Sequence, residues 1–180
     1  KADAVAEAAP GCRLVINPDY RSTNTARSLA IALDDIDDDV VMINGDVFCR
    51  PDAVRAAVEA SGTSLGVRFG ATGDEEVKFR TAAGRVTALS KTVAPAEGEA
   101  VGLNRLGRAE LTMLKGALDR CGPSDFFERA IEAICGSVAV GTTDISDYDC
   151  VEIDFPEDLA RANAMLAAGR ARGSTATSAQ

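Results

Sequence analysis

The chain has 180 residues, 46% hydrophobic and 26% charged, enough for one domain with its own core. A formal charge of −9 argues against the extended basic face of a duplex-binding protein, while leaving room for small anionic ligands held by a few lysines or a cation. There is no histidine, which excludes Ser-His and Cys-His nucleophile systems, imidazole metal sites and histidine acid–base chemistry.

In chain order, KADAVAEAAPG reads as the end of an amphipathic helix closed by a Pro-Gly turn. RLVINP, Arg13 to Pro18, reads as a short buried strand stopped by Asn-Pro. TNTARSLAIAL follows with Ala26, Leu29, Ala30 and Leu33 at helical spacing, and Thr23 or Asn24 is placed to cap it. The acidic loop DDIDDD leads into a second strand, VVMING, and then into PDAVRAAVEA, a helix opened by proline in its first turn. TSLGVRF is a strand. VKFRT and RVTALS flank AAG as a hairpin with Gly84 in the turn. EAVGLNRL is a further strand, and ELTMLKGAL carries Leu111, Leu114 and Leu118 on one helical face. SDFFERAIEAI is a helix with Ser124 as its expected cap. SVAVGTTDI and CVEID are strands, and PEDLARANAMLAAGRA closes the fold with acidic residues in its first turn. The polar ARGSTATSAQ reads as a disordered tail, so residues 1–170 form the domain and 171–180 the tail.

Strands alternating with helices in the first third predict a doubly wound, mostly parallel sheet. The hairpin-rich middle adds an antiparallel region. The fold class expected is α/β with one mixed sheet.

Five widely spaced cysteines without a CxxC pair suggest reduced thiols in a cytoplasmic protein rather than a disulfide framework or zinc site. No run approaches the roughly 20 apolar residues of a membrane span, and no secretory leader is legible.

Candidate site residues lie at strand ends, where open α/β sheets bind ligands. Asp46 follows VVMING, and Gly45 beside it lets the backbone turn. Glu152 and Asp154 in VEID are two apart and share a face. If the two groups converge they form a hard oxygen site suited to Mg²⁺ bridging phosphates. The rival for Asp46 is a cap on PDAVRAAVEA; Glu157 and Asp158 read as helix-start charges. Lys91, at the end of RVTALS, is placed to meet a phosphate as a point charge or to stand as an ordinary solvated lysine. Lys78 alternates with Val77 and Phe79 and is expected at the rim.

The order of motifs adds more than any one of them. NPDYRSTNTARSLAIAL, VVMINGDVF, EEVKF, GRVTALSK, AEGEAVGLNRL and VEIDFPEDLARA together resemble the nucleotidyltransferases of the sugar-nucleotide and phosphocholine cytidylyltransferase type, with their Rossmann-like fold. The resemblance spans Arg13 to Ala168. It implies that Asp46 and Asp154, with Glu152 beside them, hold a catalytic Mg²⁺, and that Lys91 contacts the acceptor phosphate. It places Glu99 and Gly102 in the acceptor pocket and Asn24 and Ser28 on the nucleotide side. The implied reaction moves an NMP, with CTP the favoured donor, onto a small phosphate or phosphonate acceptor and releases pyrophosphate. The alternatives are a sugar-1-phosphate nucleotidylyltransferase and a non-catalytic regulatory domain. Neither nucleic acid nor membrane is an expected partner, and homo-oligomerisation is left open. The family's opening strand and Gly-rich triphosphate loop, with its Arg and Pro-Lys, have no match here. The expectation is therefore that the biological protein is longer and that these 180 residues alone are inactive.

Overall fold

The computed structural model describes residues 2–176. In chain order the elements are α1 (Ala2–Ala8), α2 (Thr25–Leu33), β1 (Val40–Ile43), β2 (Val47–Cys49), α3 (Pro51–Glu59), β3 (Thr63–Phe69), β4 (Lys78–Ala82), β5 (Arg85–Ser90), β6 (Gly98–Leu106), α4 (Arg108–Leu118), α5 (Phe127–Ile134), β7 (Val140–Asp144), β8 (Cys150–Glu152) and α6 (Pro156–Ala176).

The main sheet runs β5-β4-β6-β3-β7, with β1 pairing to β6, while β2 and β8 form a separate two-stranded ladder. Helices cover both faces. Ala26 and Leu33 of α2, Leu111, Leu114 and Leu118 of α4 and Phe127, Ile131 and Ile134 of α5 form one buried cluster with Leu65 and Val67 of β3 and Val86 and Leu89 of β5. Ala53 and Ala57 of α3 cover Val101 and Leu103 on the other face. The period of two along β1 serves both layers: Val40 and Met42 face one, Val41 the other.

The α/β class and the β4–β5 hairpin agree with the sequence reading. The expected parallel majority does not hold. Only β3–β7 is parallel, while β1–β6, β3–β6, β4–β5 and β4–β6 are antiparallel. The cause is the position of β6. Strands β1 and β3 run the same way, as a crossover through α3 demands, but both pair with β6, which runs against them.

Three local expectations also need correction. RLVINP forms no strand: its backbone joins no ladder, and Leu14, Val15 and Ile16 are 39%, 41% and 57% exposed. An apolar run specifies a strand only where a neighbour supplies the ladder, and no described segment pairs with this one. Ser124 does not cap α5, whose N-cap is Phe126; the first-turn amide of Phe127 donates instead to Thr25 Oγ1 (3.1 Å) across the α2–α5 interface. The closing helix runs to Ala176, into the stretch read as tail; residues 177–180 lie outside the described residues. Asn24 caps α2 as expected, its Oδ1 accepting from the Thr25 amide at 2.8 Å.

Candidate active site

A cavity of about 480 Å³ opens where β1, β6 and the β2–β8 ladder meet the N-terminus of α5. Asp46, Lys91, Glu99, Gly102, Glu152 and Asp154 all line it. The residues expected on the nucleotide side do not. Asn24 is engaged as the α2 cap and as a donor to the Ser124 carbonyl (3.3 Å), and Ser28 accepts from Asn17 Nδ2 (3.0 Å). Their neighbour Thr25 does reach the cavity wall.

The carboxylates are brought together by the ladder. Val47 and Glu152 stand opposite each other, and the Ile153 amide donates to the Asp46 carbonyl at 2.8 Å. This ties the residue before β2 to the residue after β8. One carboxylate oxygen from each of Asp46, Glu152 and Asp154 lies within 4.8 Å of the others, and all three residues are exposed. Among the described residues none of the three is in an ion pair or accepts a side-chain hydrogen bond. Glu152 is raised above the ordinary glutamate range, first by burial and then by the charges of Asp46 and Asp154. The capping alternative for Asp46 is removed, because α3 begins at Pro51 with Arg50 at its N-cap. Asp158, by contrast, is a helix-start residue: its Oδ2 accepts from the Phe155 amide (3.1 Å).

This donor set fits a hard divalent cation. Three oxygen ligands converge, with no ion pair to any of them among the described residues, and Mg²⁺ favours a few carboxylates with its remaining positions left to water or phosphate oxygens.

Lys91 follows β5 and points into the cavity. Its Nζ lies 3.1 Å from Glu75 Oε2, whose side chain is 92% exposed, and 5.7 Å above the Phe126 ring. Lys78 does not share this position; its Nζ donates to the Lys91 carbonyl at 2.9 Å and so braces the turn that carries Lys91. Glu99 is held by Arg68, with Nη1 2.6 Å from Oε1, and Arg68 Nη2 donates to the Cys150 carbonyl at 3.0 Å. Gly102 sits in an irregular stretch of β6 opposite the β3 register shift, at φ +68°. Its carbonyl accepts from the Asn44 amide at 2.8 Å, and a Cβ there would lie 2.5 Å from Asn44 Nδ2. The conformation and the close approach both require glycine.

Sequence reasoning missed Arg68, Phe126, Glu128 and Phe155, which also line the cavity. Arg68 carried the signal that marked Asp46, a charge at the end of an apolar strand; the register that sets it opposite Glu99 was the missing piece.

No family model matches the sequence, and no curated protein matches it. Solved structures do. The inositol-1-phosphate CTP transferase from T. maritima superposes with a TM-score of 0.72 at 14% identity, over 87% of this chain and 66% of that one. The CTP:phosphocholine cytidylyltransferase from Streptococcus pneumoniae gives 0.68 at 15% identity, over 91% and 72%. The nucleoside-diphosphate-sugar pyrophosphorylase from Vibrio cholerae gives 0.62 at 16%, over 89% and 75%. The chain thus spans about two thirds to three quarters of the length of these structures. No described helix is long and apolar enough to cross a membrane. With its mixed sheet, its two helical layers and these superpositions, the chain carries the nucleotidyltransferase fold.

Proposed function

We propose that this protein is a Mg²⁺-dependent nucleotidyltransferase that moves an NMP, CMP in the first instance, from its triphosphate to a small phosphate or phosphonate acceptor. The observation that carries the reading is the convergence of Asp46, Glu152 and Asp154 in the cavity that also receives Lys91. The preference for CTP rests on two of the superposed structures, whose names specify it.

Asp46, Glu152 and Asp154 would hold the Mg²⁺, which when bound offsets phosphate charge and aligns the reacting groups. Lys91 exchanges its contact with the exposed Glu75, a weak surface pair, for the acceptor phosphate. An ionised acceptor oxygen forms the new bond to the α-phosphorus, the bond from that phosphorus to the bridging oxygen breaks, and the electron pair leaves on pyrophosphate. The attacking oxygen carries no proton at neutral pH, so no general base is needed, consistent with a chain that has no histidine. The protein's contribution is positioning and charge. Arg68 fixes Glu99 on the cavity wall, and Phe126 gives Lys91 an apolar floor that limits its hydration.

The test is pyrophosphate release by the full-length gene product with each of the four NTPs and Mg²⁺, against phosphocholine, aminoethylphosphonate and sugar 1-phosphates, with product masses read in parallel. A CMP-linked product from one phosphate or phosphonate acceptor supports the reading. Turnover with sugar 1-phosphates alone would move the protein to the sugar-nucleotide branch, and no NTP binding at all would overturn the reading.

A further inference from the structure

The β2–β8 ladder carries a second pair of functional groups, independent of the transferase reading. Cys49 and Cys150 stand directly opposite each other. Hydrogen bonds from Arg50 N to the Asp149 carbonyl (3.1 Å) and from Ile153 N to the Asp46 carbonyl (2.8 Å) fix the phase of the ladder. In an antiparallel pair bonded and non-bonded positions alternate. Counting inward from both bonds, Phe48–Val151 is a bonded pair and Cys49–Cys150 a non-bonded one. The Cys150 amide confirms this, since it donates to the Tyr148 carbonyl at 2.9 Å rather than across the ladder. Non-bonded pairs bring Cα atoms to about 4.5 Å, within the roughly 4.4–6.8 Å that a disulfide spans.

We infer that Cys49 and Cys150 are a dithiol site that closes reversibly to a disulfide, clamping the ladder whose ends carry Asp46 and Glu152. Both cysteines are free thiols in the structure. Cys49 is half-buried and reachable, whereas Cys150 is 3% exposed and reachable from Cys49. A hydrogen bond with the Cys150 thiol, opposed by burial and helped by the Arg68 charge, holds Cys49 below the ordinary thiol range, while the same bond and burial push Cys150 above it, so that Cys49 is the attacking thiol. The other half-buried thiols are committed elsewhere: Cys121 Sγ donates to the Ala117 carbonyl and Cys135 Sγ to the Ile131 carbonyl, and burial pushes Cys135 up to about 11.

The oxidant is a low-molecular-weight disulfide. The Cys49 thiolate attacks one of its sulfurs and releases one small thiolate, leaving a mixed disulfide on Cys49. Cys150 gives its proton to solvent and attacks Cys49 Sγ, and the second small thiolate leaves. Two protein thiols are oxidised and one small disulfide is reduced to two thiols.

The experiment incubates the folded chain with glutathione redox buffers, alkylates the remaining thiols and maps crosslinked peptides by mass spectrometry. The expected product is one Cys49–Cys150 link. It should raise Tm by at least about 5 °C, because the loop it closes is long. It should slow amide exchange at Phe48 and Val151 by about tenfold or more. Dithiothreitol should reverse all three effects. Cys49→Ser should give no link, and Cys150→Ala should stop at a stable mixed disulfide on Cys49, so the pair is tested even if one variant folds poorly. Glutathione on the exposed Cys12 alone, a link that forms only in denaturant, or a link that leaves exchange at Phe48 and Val151 unchanged would each overturn the inference.

Discussion

Glu128 offers a direct check on the electrostatics of the cavity. It stands in the first turn of α5, its Oε2 is buried without a hydrogen-bond partner among the described residues, and its pKa is pushed from 4.5 up to about 6. Burial is the main cause, opposed by its own backbone amide; the Glu152 charge adds to the rise and Lys91 opposes it. Below about pH 4 the carboxyl is protonated in both the folded and unfolded chains and imposes no penalty. As pH rises from about 4.5 to 6 the unfolded chain releases the proton while the folded chain keeps it, so stability falls through that window. At about 1.4 kcal/mol per tenfold change in ionisation, the full penalty is about 2 kcal/mol above the folded pKa. Glu128→Gln keeps the shape and removes the ionisation. Urea denaturation of both proteins should show the variant gaining about 2 kcal/mol relative to the parent between about pH 4 and pH 7. Comparing across pH cancels any effect of the substitution that does not depend on pH. Parallel pH profiles for the two proteins would refute the reasoning.

Other consequences can be read the same way. Arg68→Met strips Glu99, whose side chain is 16% exposed, of its 2.6 Å partner; denaturation should show a loss of about 1–3 kcal/mol, and an unchanged midpoint would mean that the pair is replaced by solvent. Gly102→Ala forces a side chain into φ +68° and onto Asn44, and the melting curve should report a loss of about 1–3 kcal/mol. Thr25→Val removes the acceptor for the Phe127 amide; about 1 kcal/mol should be lost, with faster amide exchange confined to the first turn of α5.

The parts of the site legible in the sequence were those written as position within an element. Asp46, Glu152 and Asp154 follow apolar runs, and the fold brings them together because strands end where the sheet opens. Lys91 was legible for the same reason. What needed register was not: Arg68 reaches Glu99 across the β3–β6 ladder, and β2, too short at Val47–Cys49 to stand out, exists through its pairing with β8. Sheet direction failed likewise, because alternation of strands and helices cannot reveal that a later strand inserts between two earlier ones. Local sequence offered Thr23 or Asn24 as the cap; Asn24 takes that role, which occupies the side chain the motif resemblance assigned to nucleotide. RLVINP has the composition of a strand, but a ladder partner is not a property of the segment itself.

The central claim is that the three ladder carboxylates do metal-assisted chemistry in this cavity. The most direct measurement is Mg²⁺-dependent pyrophosphate release by the full-length gene product, using CTP and the acceptor that the panel selects, beside Asp46→Asn with its fold verified by circular dichroism. The account predicts a fall on the order of 100-fold or more in kcat, with thermal stability preserved or raised because one of three mutually repelling charges is gone. Full activity in Asp46→Asn, or turnover that persists in excess chelator, would contradict it.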